Sequence, residues 1–221
     1  MGAEVNVFEQ RMHTFSKNVF LISLVILTLI RTAHAADEAH DLLKRIVEKY
    51  GKSSGITVRF SEKGDGESNK GTLSFRGKDR FKLDLGNRTV ICNGKTIWVY
   101  TASEKRVTID NYHANKNSMT PEFFLTGVPA NAAATIIETN GNIARLALSP
   151  APGSGDEAWG FISKVLLDVD KGDTRITRIE ITDANSARRI ITVQSLAFDA
   201  RIPDGAFNFT PPEGTTVVDL R

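Results

Sequence analysis

The stretch from Thr72 to Ile109, TLSFRGKDRFKLDLGNRTVICNGKTIWVYTASEKRVTI, decides the fold. Within it apolar and polar residues alternate in Thr72–Phe75, Phe81–Leu85, Thr89–Cys92, Thr96–Tyr100 and Arg106–Ile109. A period of two sends successive side chains to opposite faces of a strand. Gly86-Asn87, Asn93-Gly94 and Ser103-Glu104 supply the turns, and Asn-Gly is the strongest two-residue hairpin signal among them. Strands joined by connections this short must run antiparallel.

The same alternation appears before this stretch, in Ile56–Phe60, across the turn Gly64-Asp65-Gly66. It resumes at 142–148, 161–169, 174–182 and 188–198, with a last strand near 215–219, while 130–137 reads equally as a small helix or a strand. About eleven strands, few helices and no parallel crossover pattern predict a mainly β domain. Its sheet is large and antiparallel, curled into an incomplete barrel. Two helices are available to cover the open face. Asp37 opens one whose apolar residues Ala39, Leu42, Leu43, Ile46, Val47 and Tyr50 recur at helical spacing up to Gly51, giving one greasy stripe. Thr120-Pro121-Glu122 opens the other, a short helix through Phe123, Phe124 and Leu125 to Gly127. Leu43, Ile46, Val47, Phe123, Phe124 and Leu125 are the apolar residues these two helices offer to that face.

The N-terminus reads as an export signal. Arg11 and Lys17 precede the apolar run Val19 to Ile30, which Ala33-His34-Ala35 follows. That is a positive n-region, a short h-region and a small-residue cleavage site, and the run falls short of the roughly 20 residues a spanning helix needs. Cleavage after Ala35 would leave a single domain over 36–221, in the periplasm. Its net charge would be near +1, since the leader carries Arg11, Lys17 and Arg31 against Glu4 and Glu9 and the whole chain has 28 basic and 26 acidic residues. Such a balance argues against nucleic acid as a partner. With Cys92 the only cysteine, intramolecular disulfides, cysteine zinc clusters and paired redox motifs are excluded.

No catalytic set emerges. Gly51-Lys52-Ser53-Ser54-Gly55 matches G-x-S-x-G, but the order is helix then strand, the reverse of a nucleophile elbow. A phosphate loop would need glycine where Ile46 stands. Asp65, Glu67 and Asn69 lack the spacing of a calcium loop. His40 and His113 have no companion ligands in sequence, and Cys92 reads as a buried structural thiol. Asp168 and Asp170 share a strand face, best read as a solvated charged surface. Neither a metal nor another cofactor is expected.

The apolar pattern says more. Leu73 and Phe75 share one face, as do Phe81, Leu83 and Leu85. A two-residue turn at Asn93-Gly94 would align Val90 with Ile97 and turn Ile97 and Val99 inward; one more turn residue would present Trp98 and Tyr100 instead. Leu73, Phe75, Phe81, Leu83, Leu85, Val90, Ile97 and Val99 form the expected wall. A wall this wide with so few helices over it makes a ligand cavity compete with an ordinary core.

Gly71-Thr-Leu-Ser-Phe75, Phe81-Lys-Leu83, Asn93-Gly-Lys-Thr-Ile-Trp-Val-Tyr100, Thr120-Pro121 before a Phe-rich helix, and Phe207-Asn-Phe-Thr-Pro-Pro-Glu-Gly214 followed by Val217 and Asp219 together resemble the LolA family, in this order and over essentially all of 37–221. The resemblance implies an incomplete barrel with a helical lid. It implies an apolar cavity, walled in part by Phe81 and Leu83, that receives the acyl chains of lipoproteins, with no chemistry on the cargo. Its implied partners are acylated lipoproteins, an inner-membrane ABC-type release complex and an outer-membrane acceptor, the carrier itself being a monomer. Members commonly carry an Arg-Pro pair after the first of these strands, the arginine latching the lid; Gly77-Lys78 stand there here, and parity puts Arg76 or Arg80 on the other face. The alternative function is a lipid- or lipoprotein-sensing module of the cell envelope.

Overall fold

The computed structural model describes residues 37–64, 66–77, 79–112, 128–151, 159–160 and 162–221. Helix α1 covers 37–52, running one residue past Gly51 rather than stopping there. Twelve strands follow among the described residues: β1 Ile56–Gly64, β2 Glu67–Arg76, β3 Arg80–Asp84, β4 Arg88–Asn93, β5 Thr96–Thr101, β6 Arg106–Asn111, β7 Ala132–Asn140, β8 Ile143–Pro150, β9 Ile162–Asp170, β10 Arg175–Asp183, β11 Arg188–Phe198 and β12 Thr216–Asp219. One turn of helix, α2 (Val128–Ala130), precedes β7, and a 3-10 turn spans Asp204–Phe207. The segment that read equally as helix or strand is β7.

All twelve strands make one sheet in the order β12-β6-β5-β4-β3-β2-β1-β11-β10-β9-β8-β7. Every pairing is antiparallel except β12 on β6. The order ends on β12 and β7, which do not pair with each other, so the barrel stays open.

The Asn93-Gly94 hairpin shows how register follows turn chemistry. Cys92 lies opposite Ile97 and Val90 opposite Val99, so the two-residue turn is Gly94-Lys95, one step further on, and the expected Val90–Ile97 pair is displaced by two. Gly94 takes the left-handed conformation this needs, with φ 91°. The Asn93 side chain accepts from the backbone N–H groups of Lys95 and Thr96, each at 2.9 Å. A shift of two preserves parity, so Ile97 and Val99 face inward, and Trp98 pairs with Ile91 and Ile109 on the outer face.

The C-terminal segment returns from β11, in the middle of the sheet, to β12 at its edge, crossing the outer side of β1–β6. Ala200 N–H donates to Gly55 C=O at 2.9 Å and Thr216 N–H to Lys105 C=O at 2.8 Å. Between these anchors Phe207, 1% exposed, sits with the Arg76 and Arg80 guanidinium carbons 5.5 and 6.0 Å from its ring centroid. The Phe209 ring meets Tyr100 at 5.3 Å between centroids.

Candidate functional site

Register assembles the concave face into rows. Pairing aligns Phe198, Ile56, Phe75, Phe81, Cys92 and Ile97 in one row. The next holds Leu196, Val58, Leu73, Leu83, Val90 and Val99. On the other half of the sheet, Leu146, Leu167 and Ile179 align in the same way. With the α1 residues Ala39, Leu42, Leu43, Ile46 and Tyr50, all of these but Val99 belong to one apolar cluster or pack against it. All eight expected wall residues therefore lie on one face, and seven of them, Val99 excepted, belong to the cluster or pack against it.

Helix α1 closes one end of this face. Its stripe is buried, and Val47 is half-buried at its flank. The Tyr50 hydroxyl accepts from the backbone N–H of Ile176 at 3.0 Å, and its ring stands edge-on to Phe198 at 5.0 Å. Burial pushes the Tyr50 phenol up to about 12. The Lys49 ammonium hydrogen-bonds the Asp173 carbonyl and lies 4.6 Å from the Phe198 ring centroid. Lys171 pairs with Glu38 at 3.5 Å, so the helix is tied to the β9–β10 turn at both of its ends. The lid residues Phe123, Phe124 and Leu125 fall outside the described residues, as does His113.

Burial falls across the sheet, not along the strands. In the row nearest the helix Ile56, Phe75, Phe81 and Cys92 are buried, as are Val58, Leu73 and Leu196 in the next, whereas toward β3–β5 Leu83, Leu85, Val90, Ile97 and Val99 are only half-buried. Gly71 is what lets the far end pack: a Cβ there would lie 2.7 Å from Phe60 Cζ, 2.8 Å from Leu85 Cδ2 and 2.9 Å from the Asp84 carbonyl oxygen. The sequence shows this glycine but not the collision it avoids.

The polar candidates are structural. Ser53 Oγ donates to the Gly55 carbonyl at 2.9 Å and accepts from Asp199 N–H at 2.9 Å; the Ser54 N–H holds the Asp199 carboxyl below the usual carboxylate range. This staple joins the end of α1 to the end of β11. Asp168 receives Arg145 through two nitrogens at 2.6 and 2.8 Å, and Asp170 accepts from Gly172 N–H at 2.9 Å. Both are held within a charged surface. Among the described residues no group of His, Cys, Asp and Glu is placed to hold a metal ion.

Arg76 and Arg80 stand opposite each other on β2 and β3, on the outer face, as parity demands. Both bond Asp204, and Arg76 also donates to the Ile202 carbonyl at 3.2 Å. They clasp the C-terminal strap and point away from the concave face, so neither stands in for a lid latch.

An open antiparallel sheet whose concave face carries these apolar rows, closed at one end by an amphipathic helix, is a binding fold for apolar ligands. Residues 52–210 match the family described as "Outer membrane lipoprotein carrier protein LolA", and the chain belongs to that family. The outer-membrane lipoprotein carrier protein of Dechloromonas aromatica (strain RCB) is 26% identical over 211 residues, covering 94% of this chain and 99% of that one. That of Serratia proteamaculans (strain 568) is 26% identical over 198 residues, covering 86% and 92%. Among solved structures, an uncharacterized conserved protein from Thermus thermophilus superposes with a TM-score of 0.54 at 12% identity, covering 81% of this chain and 97% of its own, a likeness of fold alone.

Proposed function

We propose that this protein is a periplasmic carrier, exported through a signal peptide at 1–35, which shields lipoprotein acyl chains on its concave face and carries lipoproteins from the inner to the outer membrane. The observation that carries the reading is the contrast across that face: apolar side chains buried beneath α1, and beside them a half-buried apolar wall at Leu83, Leu85 and Val90. The partners on this reading are an inner-membrane ABC-type release complex and an outer-membrane acceptor, and the carrier acts as a monomer without altering its cargo.

The energetics suit a carrier better than a store. Each buried methylene of an acyl chain contributes about 0.8 kcal/mol, so three chains would gain several tens of kcal/mol gross, beyond any releasable affinity. The chains must therefore be held against something that competes for the same face, and α1 with its own apolar stripe is that competitor. Leu83→Glu places a charge on the half-buried wall without disturbing the sealed end. The mature protein, mixed with detergent-solubilised lipoprotein and freed of detergent, is expected to elute with bound lipoprotein on gel filtration. The variant is expected to stay folded by circular dichroism and elute empty. Equal uptake by a folded Leu83→Glu protein refutes the assignment of the wall.

A further inference from the structure

Among the described residues four buried side-chain polar atoms lack a hydrogen-bond partner: Arg76 Nε, Trp159 Nε1, Arg178 Nε and Thr215 Oγ1. Three of them are readily placed. Arg76 and Arg178 lie on the outer face with other guanidinium nitrogens bonded to Asp204 and Glu180, and Thr215 belongs to the strap. Trp159 differs. It is 6% exposed and belongs to the apolar cluster that fills the concave face.

An indole N–H can only donate, and buried donors in folded proteins nearly always find an acceptor. An orphan inside an apolar cluster calls for an explanation, and its position offers one. The Trp159 carbonyl accepts from Ile162 N–H at 2.8 Å, so the residue forms the turn that opens β9. Pairings of Ile162 with Asp183, Thr182 with Arg188, Arg189 with Gly64 and Gly64 with Glu67 put this end of β9 beside the β1–β2 hairpin tip. Helix α1 is tied to the opposite end, at Lys171 and Asp173. Trp159 therefore stands at the end of the face opposite α1, where the polar head of a lipid whose chains run toward the helix would lie.

We propose that Trp159 Nε1–H is the donor that receives an acyl-ester carbonyl of the bound lipid, so that the face selects esters and sets how deep the chains run. The inference rests on the carrier reading. An ester carbonyl marks the junction between the hydrocarbon chain and the polar head, and it carries an acceptor with no donor of its own. Its arrival satisfies the indole and loses little hydration, because the carbonyl is a weaker acceptor for water than an amide. A net neutral hydrogen bond corresponds to roughly a two- to tenfold difference in affinity.

The test compares two ligands on the intact mature protein: a dipalmitoylglyceryl-cysteine peptide and the dihexadecyl ether of the same peptide, each titrated by displacement of a fluorescent fatty acid. The wild-type protein is expected to prefer the ester by about two- to tenfold. Trp159→Phe, which keeps the apolar bulk, is expected to bind both at the level of the ether, and to resist urea as well as or better than wild type because the orphaned donor is gone. Equal binding of ester and ether by the wild type overturns the proposal, as does a preference that survives in Trp159→Phe. The ether keeps the carrier reading separate: if the wild type binds neither the fluorescent fatty acid nor either lipid, acyl-chain binding itself fails, whereas ether binding without ester preference removes only the role of Trp159.

Discussion

Replacing Tyr50 with phenylalanine deletes one oxygen atom from the joint between α1 and the sheet. β10 slips in register between Ile176 and Arg178, and at that bulge the Ile176 N–H turns to the Tyr50 hydroxyl at 3.0 Å. Tyr50 is 2% exposed and Ile176 1%, so water has little access to the N–H once the oxygen is gone. Orphaning a buried donor costs about 1–3 kcal/mol. For a domain of this size each kcal/mol lowers Tm by about 2–4 °C, giving an expected fall of roughly 2–12 °C. The phenylalanine ring keeps the edge contact with Phe198, so the loss reports the hydrogen bond and not a cavity. A second readout follows from titration. Burial raises the folded-state pKa of Tyr50 from 10.0 to about 12, so the folded protein holds this proton more tightly than the unfolded chain. The corresponding stability is complete below pH 10.0 and drains away as the pH climbs towards 12. Urea unfolding at neutral pH and across this alkaline window measures both effects. A Tyr50→Phe protein within about 0.5 kcal/mol of wild type, with the same alkaline decline, refutes the placement of α1.

Three other outcomes are expected. Gly71→Ala drives a methyl to 2.9 Å from the Asp84 carbonyl oxygen, a backbone atom that cannot rotate away; a loss of about 1–3 kcal/mol in urea unfolding is the expected overpacking cost. Phe207→Ala empties the space beneath the Arg76 and Arg80 clasp and should cost about 3–5 kcal/mol, with faster proteolysis of the strap. The Arg188 hydrogen bond holds the Glu180 carboxyl below its ordinary 4.5, so its contribution is present above that value and is lost as the pH falls through the lowered pKa. Glu180→Gln should therefore flatten the acid limb of the stability profile below about pH 4.5.

Strand existence and facing were legible because alternation is a local property. Leu73 with Phe75, and Phe81 with Leu83, declare their faces within a few residues, and the structure stacks them as Leu73 on Leu83 and Phe75 on Phe81. The register of β4 on β5 was less legible, since Asn93-Gly-Lys95 admits a turn at either dipeptide and the choice is made by the Asn93 side chain bonding two backbone N–H groups. β7 was ambiguous for a different reason. Ala132-Ala-Ala134 has no strand preference of its own, and its extended form comes from pairing with β8. The strap was not legible at all: Asp204 meets Arg76 and Arg80 across more than a hundred residues, and the parallel pairing of β12 on β6 follows from where that strap lands. Of the wall, the facing of Leu73 to Val90 was readable, whereas that of Ile97 and Val99 hung on the length of the turn before them; the donor at Trp159 was not readable, because nothing in a lone tryptophan tells whether its N–H will find an acceptor.

The same structure indicates how a carrier of this shape would fill. Undocking α1 would expose Leu42, Leu43, Ile46 and Tyr50, all buried, at about 1.5–3 kcal/mol each, or roughly 6–12 kcal/mol together. A palmitoyl chain gains about 0.8 kcal/mol per methylene, or roughly 11 kcal/mol when fully buried. Displacing the helix would thus consume the gain from a whole chain. The half-buried wall at Leu83, Leu85 and Val90 has less contact to surrender, so a first chain should enter over those strands and leave α1 seated. The strap bears on the same strands from outside. Its anchors at Gly55, Arg76 and Lys105 span β1 to β6, the strands whose curvature sets the width of the concave face. With Arg76 and Arg80 engaged there, opening would have to work against two separate attachments: α1 at the β9–β10 turn, and a strap whose clasp acts on the sheet from behind. Weakening the first should ease the entry of further chains, while weakening the second should alter the width available to all of them.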